Sequence, residues 1–94
     1  MPIRRLVMDV DKTVDEPDLL SLAQAIEKVD GVLAVDITVD AIDIETVGTD
    51  ITVEGDDLDV AALVRSIEHA GAVVHSVDQV VAGAYVLERV PRAR

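Results

Sequence analysis

Apolar and polar positions along this chain repeat with two different periods, and the places where the period switches mark the elements. Leu6, Met8 and Val10 alternate with Val7, Asp9 and Asp11, the pattern of a strand with one buried face. The acidic stretch DEPDLL interrupts it. Pro17 there suits the first turn of a helix, where a missing N–H costs nothing and carboxylates meet the positive end of the dipole. Leu19, Leu22, Ile26 and Val29 recur at spacings of three and four, one apolar helical face, and Gly31 is the expected stop. In VLAVDITVD, Leu33, Val35, Ile37 and Val39 fall on one side, with Asp36, Thr38 and Asp40 on the other. The phase slips by one near Ala41, since Ile42 and Ile44 then take the apolar places, and this predicts a bulge or bend.

The segment ETVGTD reads as a turn centred on Val47 and Gly48, followed by a short strand with Ile51 and Val53 inside. In GDDLD, Asp56 or Asp57 is the expected N-cap of a second helix. Val60, Leu63 (or Val64), Ile67 and Ala70 form its buried stripe, and Gly71 ends it. AVVHSVDQVVAG, residues 72 to 83, is the fourth strand, and AYVLERV has the character of one more extended segment ahead of the basic end PRAR. The order β-α-β-β-α-β with right-handed crossovers predicts a ferredoxin-like α+β sandwich, a four-stranded antiparallel sheet with two helices on one face. No linker divides the chain. The reading is a single domain over residues 1–94, with its core from about 3 to 83 and a C-terminal extension over 84–94.

Composition narrows the function. Nineteen acidic residues against eight basic ones give a net charge of −11, which repels phosphate backbones and argues against nucleic-acid binding. Thirteen of the acids are Asp, six of the bases are Arg, and Phe and Trp are absent, a balance that resembles proteins of salt-loving archaea. At molar salt the Debye length falls to about 3 Å, so hydrated carboxylates can crowd a surface without prohibitive repulsion. Most surface acids are then solvent adaptation. No apolar run approaches the roughly 20 residues of a membrane span. The opening MPIRRLVMDVDK carries acids and no small-residue cleavage site, so it reads as a first strand of a cytoplasmic protein. The absence of cysteine removes disulfides, thiolate metal sites and thiol nucleophiles together.

The segments LVMDV, VDITVDAIDIET, ITVEGDDLD and IEHAGAVVHSVDQVVAG resemble the archaeal domain-of-unknown-function family 211, without gaps from about Leu6 to Gly83. HSVDQVVAG is the most distinctive block. The resemblance implies a ferredoxin-like fold and a ring-like or otherwise multi-subunit assembly, and it implies no reaction. The family usually reads Glu-Ile-Asp where this chain has Ala41-Ile42-Asp43, which removes any role that rests on that Glu.

Candidate chemistry gathers on the fourth strand. Strict alternation puts His75 and Val77 on one face and Ser76 and Asp78 on the other, an awkward arrangement for a Ser-His-Asp hydrolase, which also needs an oxyanion hole. Ser76 and Asp78 are therefore expected at the sheet's open face or a subunit boundary, with His75 hydrogen-bonded at the rim, as structural groups or as a ligand site. Asp9 lies on the first strand, central in this fold, and Glu54 on the polar side of the third. With Asp78 they offer two or three oxygens to a hard cation such as Ca²⁺ or Mg²⁺, although solvated surface acids are the commoner explanation. Asp43, Glu45 and Thr46 form a second acidic cluster, which a turn explains. His69, in the last turn of the second helix, suits the helix dipole. Five scattered glycines make no phosphate cradle. Two functional classes follow: an oligomeric binding or regulatory module holding a small ligand or cation between subunits, which the sequence favours, and a metal-dependent or acid–base enzyme using Asp9, His75 and Asp78.

Overall fold

A computed structural model describes residues 2–85 and residue 87. In chain order the elements are β1 (Ile3–Thr13), α1 (Leu19–Glu27), β2 (Val32–Ile42), β3 (Thr46–Gly55), α2 (Val60–His69) and β4 (Val73–Ala82). The sheet order is β2-β3-β1-β4, with every neighbouring pair antiparallel. This is the ferredoxin-like sandwich, with β1 and β3 central and β2 and β4 at the edges. Among the described residues no helix is long and apolar enough to cross a membrane.

One face of the sheet is dry. Leu6, Met8 and Val10 of β1 and Ile51 and Val53 of β3 are fully buried against Leu22 and Ile26 of α1 and Leu63 and Ile67 of α2. Each such side chain contributes roughly 1.5–3 kcal/mol of transfer free energy. Thr49 is also wholly buried on this face, and its hydroxyl donates to the Val10 carbonyl at 2.8 Å, so no polar group there is left unpaired. The Ser66 hydroxyl donates to the Ala25 carbonyl and ties the two helices together.

Several local expectations shift. The α1 cap is Asp18, whose carboxylate accepts from the Ser21 N–H at 2.7 Å, so Pro17 sits just before the helix and not inside its first turn. The α2 cap is Asp59, neither Asp56 nor Asp57. Leu58 is drawn into the core while its N–H donates to the Ile3 carbonyl, and the helix cannot start until that anchor is placed. The β2–β3 turn falls at residues 43–45, ahead of Val47 and Gly48, which belong to β3. It is closed by the Asp43 N–H donating to the Thr46 carbonyl.

Leu33, expected inside, is 71% exposed, because β2 slips register between Val32 and Ala34. Val39 is also exposed, as are Ile42 and Ile44. The reason is length: helices of 9 and 10 residues rise about 14–15 Å, whereas a strand of 11 residues runs about 36 Å. The β2–β3 hairpin therefore extends beyond the helices that would cover it. The slip expected near Ala41 is present, between Val39 and Ala41.

Candidate functional site

The second face of the sheet has no helix over it. β1 contributes Arg5, Val7, Asp9 and Asp11 to it, and β3 contributes Glu54, Thr52, Asp50 and Gly48 directly opposite. The edge strands decide the rest.

Between Val10 and Met8 of β1, β4 advances by three residues for two, from Val74 to Val77. It does the same between Met8 and Leu6, from Val77 to Val80. His75 and Asp78 are the extra residues. A bulge places the inserted residue and its successor across from one partner, so both side chains lean to the partner's side. His75 and Ser76 thus share the face of Asp9, and Asp78 and Gln79 share the face of Val7. Val74, Val77 and Val80 all fall on the other side. The expectation that His75 points away from Ser76 and Asp78 is corrected: two bulges collect every polar residue of β4 on one face. On β2 the slip between Val39 and Ala41 likewise inserts Asp40 opposite the Gly48 end of β3.

The resulting patch is acidic. Asp9 and Asp50 face each other across the β1–β3 ladder, a like-charge pair. His75 Nδ1 lies 3.9 Å from Asp9 Oδ2, and the Ser76 hydroxyl donates to Asp78 Oδ1 at 2.8 Å. Loss of surrounding water, followed by the charges of Asp40, Asp9 and Asp78, holds the Asp50 carboxyl above its ordinary value. Ser76 is committed to Asp78 and not to His75, so the hydrogen bond that would activate a serine nucleophile is not formed.

Glu54 belongs elsewhere. It lies four positions along β3 from Asp50 and accepts from Arg5 Nε at 2.7 Å. The sheet thus brings together Asp9 and Asp78 of the expected oxygen set and leaves Glu54 apart. Among the described residues no group of three His, Cys, Asp or Glu side chains is arranged to hold a metal ion.

Sequence reasoning passed over Arg5 and Gln79 as members of this face. A signal for the β4 part is visible in retrospect: V-H-S-V-D-Q-V repeats valine at a period of three, neither the two of a flat strand nor the 3.6 of a helix.

Two comparisons bear on kinship. The model of domain-of-unknown-function family 211, described as "Uncharacterized ArCR", matches residues 4–94. Uncharacterized protein MJ0319 of Methanocaldococcus jannaschii is 39% identical over 88 residues, covering 94% of this chain and 90% of the relative. With this fold, the bulged HSVDQVVAG strand and a match over nearly its whole length, the chain belongs to domain-of-unknown-function family 211.

Proposed function

We propose that this protein is a non-catalytic binding module that presents the carboxylate face of its sheet to a divalent cation or small cationic ligand and self-associates beside it. The observation that carries the reading is the double bulge of β4, which gathers His75, Ser76, Asp78 and Gln79 onto the face of Asp9 and Asp50. Bulges cost regular ladder hydrogen bonds and are often found where a side chain must be re-aimed. The like-charge contact of Asp9 with Asp50 is relieved by a cation in the same place, so binding gains the repulsion that the free protein carries.

Self-association is supported by the other side of β4. Val77 is 46% and Val80 53% exposed on an edge strand, more apolar surface than a scattered residue accounts for. Because the bulges break the spacing of the free backbone edge, a second copy is expected to meet these side chains and not to extend the sheet.

The test is calorimetric titration of Ca²⁺ and Mg²⁺ into the wild type and Asp78→Asn, with light scattering on both. The expected outcome is weaker cation binding in the variant by about tenfold, the cost of one lost charge contact of roughly 1.4 kcal/mol, with the oligomer unchanged. A wild type that shows no heat with either ion sinks the cation reading. A mass in molar KCl that stays at the 10.0 kDa of one chain sinks the assembly.

A further inference from the structure

The two edges of the sheet are not equivalent. On β4 no more than three consecutive residues pair with β1 before the register shifts, so its outer backbone groups keep no regular spacing. β2 is different. From Ala34, across from Glu54, to Val39, across from Thr49, six consecutive residues pair with β3 without a break. In an antiparallel ladder every second residue turns its N–H and C=O to the partner, so the alternate residues of this stretch turn theirs outward. Sheet edges are commonly blunted by a proline, a lysine or a bulge, and residues 34–39 contain none of the three.

The side chains of this stretch sort by face. Ala34, Asp36 and Thr38 stand on the open face, where the Thr38 hydroxyl donates to Asp36 Oδ1 at 3.1 Å. Val35, Ile37 and Val39 stand on the helix side; the first two are only partly buried against the core, and Val39 is 38% exposed. A strand laid beside β2 extends both layers, with polar side chains next to Asp36 and aliphatic ones next to Val35 and Ile37. Charge decides which strand. β2 carries Asp36 and Asp40 and no basic residue, and among the described residues neither acid is in an ion pair. A second copy of β2 is a poor occupant. Aligned antiparallel over these residues with the faces matched, Asp36 meets its own copy directly or on the diagonal, a like-charge contact. A basic segment has no such penalty, and a net charge of −11 steers it in.

We propose that residues 34–39 of β2 take up an extended segment of another protein as a fifth strand, one with lysine or arginine at alternate positions on the open face and aliphatic residues between them. Main-chain hydrogen bonds to the outward N–H and C=O groups hold the segment, and Asp36 and Asp40 select its charge. Asp40, inserted by the slip after Val39, stands at the end of the regular stretch. Salt weakens the selection by charge and leaves the main-chain pairing in place. This holds whether or not the carboxylate face binds a cation and whether or not β4 meets a second copy.

The probes are a blocked heptapeptide alternating lysine and valine, its glutamate–valine counterpart, and the lysine–valine peptide with every internal peptide nitrogen methylated. The methylated form keeps the charge and cannot donate to a sheet. Each carries a fluorophore, and binding is read as anisotropy against protein concentration in dilute KCl. The expected result is binding of the lysine–valine peptide that methylation weakens by at least about tenfold, the loss of two or more main-chain hydrogen bonds. Asp36→Lys, a change at an exposed position, is expected to reverse the preference in favour of the glutamate–valine peptide. A lysine–valine peptide that does not bind overturns the proposal. Equal binding of its methylated form means charge attraction alone and overturns it too, as does an unchanged preference in D36K, which puts the peptide elsewhere. Amide hydrogen exchange of residues 34–39 without peptide is the second measurement. Protection there that grows with protein concentration means that another copy already holds the edge, and a basic partner strand is then ruled out.

Discussion

Asp50 shows how one carboxylate can cost stability where it stands. It faces Asp9 across the ladder and feels Asp40 and Asp78, and these charges together with lost hydration raise its pKa above the ordinary 3.8. An acid whose folded pKa is raised binds its proton more tightly in the folded state, so ionisation disfavours folding. That penalty is absent below the unfolded value and fully present above the raised folded one. Asp50→Asn is expected to raise the melting temperature at neutral pH and to leave it nearly unchanged in strong acid. Thermal melts of both proteins across that range decide it, and a variant less stable than wild type at neutral pH contradicts the account. Asp18 has the opposite sign. The Ser21 N–H holds its carboxylate below the usual range, so its contribution is complete above the unfolded value and is lost as pH falls through the depressed folded value.

At the scale of elements, the edge strands bend where the central ones stay regular. The β1–β3 register runs without a break from Arg5 to Thr13, while β2 slips twice and β4 twice more, with a further slip on the β1 side at Arg4. An edge strand has only one partner, so an extra residue disrupts one ladder and not two. The packing between elements is less forgiving. A Cβ on Gly55 would overlap the Gly31 carbonyl oxygen and press on Leu58 at 2.8 Å, whereas a Cβ on Gly48 meets only ordinary contacts at 3.6–3.8 Å. Gly55→Ala is therefore expected to destabilise by about 1–3 kcal/mol, and Gly48→Ala by little or nothing. Urea midpoints of the two variants test the contrast, and equal effects would remove the close approach of the two loops as its cause. Asp59→Ala, which deletes the α2 cap, is expected to cost about 1 kcal/mol.

For the whole molecule, charge dominates. A net charge of −11 on 94 residues, concentrated in part on one face of the sheet, repels itself at low ionic strength and is screened within about 3 Å at molar salt. The melting temperature is expected to rise steadily from dilute buffer to molar KCl. If it stays flat over that range, the carboxylates are too well separated and hydrated to matter, and the explanation offered for Asp50 weakens with it. Substituting Asp50 should flatten the salt dependence at its low end, since it removes the most crowded of these charges.

Much of this architecture was legible in the chain alone. The period-two stretch at Leu6, Met8 and Val10 and the three–four spacing of Leu22 and Ile26 are local properties, set by where consecutive side chains point from a strand or helix. Element order with right-handed crossovers then leaves one economical topology, and the HSVDQVVAG block carries the kinship. The candidate site was only partly legible, because it depends on register. Alternation assigns His75 and Ser76 to opposite faces, and only the pairing with β1 shows that each bulge inserts a residue and returns them to the same side. The partnership of Arg5 with Glu54, Gln79 and Leu87 spans separations of 49, 74 and 82 residues, and no local pattern can encode it. Face and period come from neighbouring residues; which bulge meets which carboxylate, and which acceptors one arginine reaches, is decided when distant strands pair.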